Sequence, residues 1–367
     1  MSGNLFIWIP VLLAAVWAAH WGAEHLADPL KKLRRRWGFS VAAGGAFVGL
    51  AAASPEIGIN TTSAIRGVGD IGLGALLGSN VLAIPLMVVT AYVATREKDL
   101  GGDEGGHEAH EAHRREHLLQ VDRQAVTVQA LPYLGILALF ALLTLPAPWR
   151  GLQPLDGWLL LIGYLAYLAQ ALLRGREEGE DVEWERKERW MAAAGVGALA
   201  VGAYFTVFST ERIVSAIGLS KILGGLFITA PVAALPEVFA TWYVTRSGQV
   251  TSGVTSVIGD HAVTMTLAFI PLTIVGMPIG NLLLFSVTLS FVALVAALYA
   301  AFIGWGGRES GFRRWQVLTL PAVYALFVAA VVFWVQPFGQ GSQGSQGGQG
   351  GSGGVPAEAS QQPAAAD

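Results

Sequence analysis

The chain contains no cysteine, which excludes disulfides and thiolate metal sites and leaves no trace of a redox compartment. Charge is scarce as well. Asp, Glu, Lys and Arg make up 13% of the 367 residues, against about 25% in ordinary soluble domains. No glycine-rich phosphate loop occurs, so ATP-driven chemistry has no place to sit. A net charge of −3 offers no basic surface to nucleic acid. No cofactor signature is present, and nothing points to an enzyme. The opening residues MSGNLFIWIP lack the basic segment of a secretory signal, so the first apolar run is expected to be a retained span.

What the sequence has in abundance is apolar length: 53% of its residues are hydrophobic, gathered into runs separated by short polar islands. In lipid only a helix satisfies its own backbone, so these runs read as membrane helices. We expect an all-α polytopic membrane protein with ten transmembrane helices, near 4–28, 38–65, 70–95, 125–147, 152–173, 190–210, 222–245, 251–275, 278–304 and 316–337. Residues 1–173 would form a first membrane repeat of spans 1–5, with a His-rich inside loop at 96–124. A charged inside linker, 174–189, leads to a second repeat of spans 6–10, 190–337. The tail 338–367, rich in Gly, Gln and Ser, cannot bury enough apolar surface to order itself and is expected to be disordered.

Orientation follows from Lys and Arg. With both termini outside, nineteen of the 23 fall on inside loops, leaving Arg66, Arg150, Arg212 and Lys221 outside. The expected location is therefore the cytoplasmic (inner) membrane, multi-pass, with periplasmic termini. The halves are also related. At an offset of 181 residues Pro55 falls on Pro236, Glu56 on Glu237, Gly67 on Gly248 and Gly78 on Gly259. That shift crosses five spans, an odd number, so the two five-helix repeats should have inverted topology, the arrangement that places transporter sites at the midplane.

The matching positions include acids. A carboxylate in mid-membrane costs roughly 2.5–3.5 kcal/mol on insertion scales and needs a partner or a function. Glu56, Glu237 and Asp260 stand near span centres, with no Lys or Arg at similar depth, so a cation or a proton is the expected partner. Pro55 and Pro236 are helix-breaking: each removes a backbone donor and loosens a carbonyl one turn back, that of Ala51 or Val232. Carboxylates beside freed carbonyls make an oxygen cage suited to hard cations. Asn60 and Thr241 lie one turn beyond the acids on the same helical faces. In the following spans Ser79 and Asn80 correspond to Asp260 and His261, and His261 is either a proton carrier or a neutral structural imidazole.

These motifs, AAASPE with GDIGLGALLGSNVLA and VAALPE with TSVIGDHAVT, resemble the α-repeats of the sodium/calcium exchanger family, within the cation/calcium antiporter superfamily. The likeness is strongest over residues 40–95 and 222–275. It implies acidic metal ligands at Glu56 and Glu237, a hydroxyl ligand at Ser79 and backbone carbonyl ligands at Ala52 and Ala233. The chain also departs from the family. The Thr–Ser pair of each repeat is Ala52–Ala53 and Ala233–Ala234, so four hydroxyls are missing. Ala83 replaces the closing Asn of one motif, and Thr264 the closing acid of the other. Asp260, one turn from Thr264, carries that acid instead.

The function expected is secondary active antiport, Ca²⁺ for Na⁺, through a central carboxylate site by alternating access. The alternatives are a cation/proton antiporter (Ca²⁺/H⁺ or Na⁺/H⁺), a non-transporting ion sensor derived from this fold, or a channel. The partners are the lipid bilayer and small cations, with oligomeric state open. Two further clusters read as bystanders. His20, Glu24, His25 and Asp28 are taken as an interfacial anchor at the inner end of the first span. His107, His110, His113 and His117, among Glu104, Glu108, Glu111 and Glu116, are taken as a solvated loop.

Overall fold

Apolar runs bounded by charge fold as helices because no other element hides its polar backbone from lipid. The computed structural model bears this out. It describes residues 5–36, 50–96, 116–123, 129–173, 182, 185–304 and 310–335. The segment holding His107, His110 and His113, the start of the expected second span, most of the 174–189 linker and the tail from 338 lie outside the described residues.

In chain order the helices are α1 (Leu5–Arg36), α2 (Ser54–Ile65), α3 (Gly69–Ala94), α4 (Leu131–Thr144), α5 (Pro154–Leu173) and α6 (Arg186–Ile217). A broken passage follows: α7 (Lys221–Gly224), a π-helical turn (Gly225–Thr229), α8 (Ala230–Ala233) and α9 (Leu235–Arg246). Then come α10 (Val250–Thr264), α11 (Ile270–Ile274), α12 (Leu282–Gly304) and α13 (Arg314–Ala330). Seven stretches among the described residues are long and apolar enough to cross a bilayer: 5–26, 69–94, 186–217, 221–246, 250–274, 282–304 and 314–335. The expected span at 125–147 appears as α4, only 14 residues long.

Two expected boundaries differ. The first and sixth spans were read as 4–28 and 190–210, whereas α1 and α6 each run for 32 residues. The charged ends continue the helix because Lys32 of α1 pairs with Glu188 of α6. A capping box at Glu185 and Glu188 also starts α6 within its polar flank.

The centre of the molecule is α3, packed against α2, the broken passage, α10, α12 and α13. Its small residues permit this. A Cβ on Gly78 would lie 2.7 Å from the carbonyl oxygen of Leu226, and one on Gly74 would strike that of Ile222. Such backbone contact is how membrane helices gain packing where lipid supplies no hydrophobic drive. The α1/α6 pair is built likewise, since a Cβ on Gly202 would sit 2.5 Å from the carbonyl oxygen of Ala15. This pair lies at the periphery, mostly exposed.

Ties at the ends of the bundle fix its loops. Strands β1 (Leu118–Gln120) and β2 (Gly311–Arg313) pair antiparallel, with Leu119 opposite Phe312. Leu152 bridges Met277. Arg66, just after α2, binds Glu211 of α6 at 2.8 Å and donates to the Tyr204 hydroxyl at 3.0 Å, while Lys221 lies 3.5 Å from Glu211.

Gly202→Val should force α1 and α6 apart and cost about 1–3 kcal/mol. Thermal unfolding in detergent should show a lowered midpoint. Gly197→Val, on the same helix but with nothing within 4 Å of its Cβ, should leave the midpoint in place. Equal midpoints for the two variants would refute the close-packed reading of this pair.

Candidate functional site

The two Pro-Glu sequences occupy equivalent local structures. In each, a helix is interrupted by a single alanine and restarts with proline in its first turn: the break is at Ala53 (φ −78, ψ −1) before α2 and at Ala234 (φ −75, ψ −14) before α9. Proline is tolerated there because a first-turn amide lacks an intrahelical acceptor in any case. Glu56 and Glu237 follow at once, in the first turns, where helix dipoles favour negative charge.

Both acids line one recess, together with Ala52, Ala233 and Pro55. Glu56 is buried, 7% exposed, and its Oε2 has no hydrogen-bond partner among the described residues. No described Lys or Arg lines the recess. A buried carboxylate oxygen left bare in this way is suited to a ligand that arrives from outside the protein.

Four other lining residues come from the peripheral pair, Val16, Ala19 and His20 of α1 and Thr206 of α6, of which His20 and Thr206 are polar. The sequence reading did not assign them. His20, expected in an interfacial anchor, instead faces the recess, while His25 turns its Nδ1 to the Trp21 carbonyl at 2.8 Å. The side chain of Asp28 lies outside the described residues. A signal for Thr206 did exist. Gly202, Thr206, Ser209, Thr210 and Ile213 fall at helical spacing and form the buried face of α6.

The remaining assigned residues sit outside the recess wall. Asp260 is buried, with Oδ1 unpartnered among the described residues. No three His, Asp or Glu side chains among the described residues yet converge on a single point. Ser79 donates to the Leu76 carbonyl at 3.0 Å. Asn80 is held in a polar network: it donates to Leu76 O at 2.8 Å and Thr264 Oγ1 at 3.1 Å, and accepts from Tyr133 at 2.8 Å. Tyr133, a residue no motif marked, is thus the donor that holds the Asn80 amide oxygen. His261 is fully buried beside the Tyr133 ring, at 5.6 Å between centroids, with both ring nitrogens unpartnered. Thr241 donates to Met87 Sδ at 3.0 Å, and Asn60 to the Glu56 carbonyl at 3.0 Å.

One backbone expectation is corrected. The Ala51 carbonyl, deprived of a donor by Pro55, does not stand open, because Ser54 Oγ donates to it at 2.7 Å. Leu235 occupies the equivalent place in the second motif and has no hydroxyl to repeat the bond.

The model of the sodium/calcium exchanger protein family matches residues 7–173 and 188–333, and the chain belongs to that family. Among solved structures it is similar to the sodium-calcium exchanger NCX_Mj soaked with 2.5 mM Na⁺ and 10 mM Sr²⁺: 19% identity, 89% of this chain and 99% of that one, TM-score 0.59. The same exchanger soaked without Na⁺ and Ca²⁺ gives 18% identity, 89% and 99% coverage and a TM-score of 0.57. The H⁺/Ca²⁺ exchanger CAX gives 16% identity, 88% and 80% coverage and a TM-score of 0.59. At these identities the likeness is one of fold. No curated protein sequence matches. The named relatives are ion exchangers, not enzymes.

Ser54→Ala should leave the buried Ala51 carbonyl short of a donor and cost about 1–3 kcal/mol, read as a lowered unfolding midpoint in detergent. Ser54→Thr, which keeps the hydroxyl, should recover most of that loss. Failure of threonine to recover it would remove the capping role.

Proposed function

We propose that this chain is a secondary active antiporter that moves a divalent cation, Ca²⁺ in the first instance, across the cytoplasmic membrane in exchange for Na⁺. The observation that carries this reading is the recess, where Glu56 and Glu237 from two separate Pro-Glu helices line one cavity. Two carboxylates balance one divalent cation, two Na⁺ or two protons, so the substrates compete for the same charge. Neither carboxylate is readily left bare in a membrane, which makes an exchange in which one ion replaces another cheaper than a cycle through an empty site.

The wider assignment is part of the same proposal. Glu56, Glu237 and Asp260, with Ser79 and the carbonyls of Ala52 and Ala233, form the metal-binding set. Asn60, Asn80, Thr241, His261 and Thr264 support it, and Pro55 and Pro236 break the helices that hold it. Ten spans in two inverted five-helix repeats, 1–173 and 190–337, with the linker 174–189 and the tail from 338, place both termini outside. The loop pairings support the grouping of the loops by side. Loops joined through β1 and β2 are both assigned inside by the charge count, as are Lys32 and Glu188. Arg66, Glu211 and Lys221, joined to one another, are all assigned outside. Alternating access would follow from relative movement of the α1/α6 pair and the helices around α3.

One observation favours proton coupling as the second reading. Alanine at positions 52, 53, 233 and 234 removes four hydroxyls that would help to coordinate Na⁺, whereas protonation of a carboxylate requires none of them.

The test is ⁴⁵Ca²⁺ uptake into proteoliposomes under separately imposed Na⁺ and pH gradients. Uptake should follow one of the two, the Na⁺ gradient on the first reading. Glu56→Gln and Glu237→Gln should each lower the initial rate at least about tenfold, the equivalent of ~1.4 kcal/mol of lost binding, with the protein still inserted. Absence of flux under both gradients ends the antiport reading, and full activity of either variant ends the site assignment.

A further inference from the structure

The recess has a wall that the two Pro-Glu helices do not supply. The same recess is lined by His20 of α1 and Thr206 of α6, both from the peripheral pair that touches the rest of the bundle mainly through α2 and the broken passage. Thr206 is fully buried and uses its proton on the Gly202 carbonyl at 2.8 Å, so the lone pairs of its hydroxyl oxygen remain available. His20 is held loosely. Its Nε2 lies 3.8 Å from Glu24 Oε1, one turn away, and Glu24 is 65% exposed. A contact this long, to so exposed a partner, leaves the imidazole free to turn within the recess.

Chemistry then sets the consequence. Ca²⁺ takes oxygen ligands, while imidazole nitrogen suits first-row divalent metals and carboxylates serve both classes. A recess with two carboxylates, one hydroxyl and one imidazole, and without the four hydroxyls replaced by alanine, discriminates by its nitrogen. We propose that His20 is a metal ligand and the residue that sets selectivity, giving the recess a preference for first-row divalent metals over Ca²⁺, with Mn²⁺, the most oxygen-seeking of that row, as the most demanding case. This rests on the recess being the transport site. In the conformation described, His20 and the carboxylates do not yet meet at one point, so the nitrogen is delivered by rotation of the His20 side chain or by travel of α1 along the recess wall. Metal class and helix position are thereby linked: a metal that recruits His20 favours the arrangement in which α1 is drawn toward α2 and α9.

The experiment uses Mn²⁺ as the probe on the full chain. Pulsed EPR of the detergent-solubilised protein with one equivalent of Mn²⁺ should show ¹⁴N modulation from one imidazole, absent from His20→Gln. In proteoliposomes, Mn²⁺ should compete with ⁴⁵Ca²⁺ more strongly than unlabelled Ca²⁺ does. His20→Gln should shift the ratio of the two inhibition constants toward Ca²⁺ by about tenfold or more, while Glu24→Gln leaves the ratio unchanged. His20→Asn provides a second variant should the glutamine form not assemble. Modulation that persists without His20, or a ratio that moves by less than this, overturns the proposal. The outcomes separate from those of the recess itself: if Glu56→Gln retains exchange, the site reading fails, whereas if Glu56→Gln is inactive and His20→Gln keeps the wild-type ratio, only the role of His20 fails.

Discussion

A carboxylate that cannot find a cationic side chain governs this molecule. Glu56 is buried with a bare oxygen, and Glu237 shares its recess. A Lys or Arg beside them would satisfy the charge permanently and close the site. Without one, the proposed function has the charge met by an ion that can come and go. The same constraint explains why the helices are broken where they are. Starting a helix immediately before each acid gives the carboxylate the positive end of a dipole, which softens the penalty of burial without cancelling the charge. The prolines belong to that device: they sit in the first turn, where a missing amide proton costs little.

The scaffold then has to bring two such helix starts to one place. It does so by letting backbones touch. Gly74 and Gly78 of α3 lie against the carbonyls of the broken passage, which sets α9 close to the central helix, and α2 packs on the other flank of α3. The α1/α6 pair is different in kind. Its own glycines join the two helices to each other, and Lys32 with Glu188 ties them at one end. Its ties to the rest of the bundle include the partly exposed Arg66, Glu211 and Lys221 cluster at the other end. Exposed ion pairs of this sort are worth about 0–1 kcal/mol, little beside the packing within each group. The molecule therefore has a tight interior and a tight peripheral pair, joined by this polar clasp, by apolar packing of α1 and α6 on α2, α3 and the broken passage, and by the buried Thr210–Thr229 hydroxyl contact.

Most of this was legible in the sequence where the signal was local. Apolar runs gave the helices, and Pro-Glu repeated at a fixed offset gave the two acids and the breaks. What was not legible came from neighbours distant in sequence. His20 lies among other polar residues near the end of an apolar run, and nothing in that run says which side of α1 will meet α2. Tyr133 looked like one aromatic among many until it proved to hold Asn80. Ser54 could have been read from the motif, since a hydroxyl just before a proline is placed to cap the carbonyl the proline deprives; its acceptor is known only from the fold. The extra turns of α1 and α6 have no signature in composition, which marks where lipid ends, whereas helices end where capping ends.

The alanines at 52, 53, 233 and 234 bear on more than the identity of the ion. Where hydroxyls on the Pro-Glu helices complete the cage, the ligands all move together and ion choice is independent of the peripheral pair. Here those hydroxyls are gone, and the polar groups that remain to face the acids, Thr206 and His20, ride on α6 and α1. On the proposed function, the coordination sphere is then divided between two bodies. An ion that needs the second half of the sphere must draw the pair toward the centre, and an ion or proton satisfied by carboxylates alone need not. On this reading the substitution of four small residues does not merely weaken a site. It transfers part of ion recognition onto the surface between the two groups of helices, so that the ion in the recess and the position of α1 and α6 become one equilibrium.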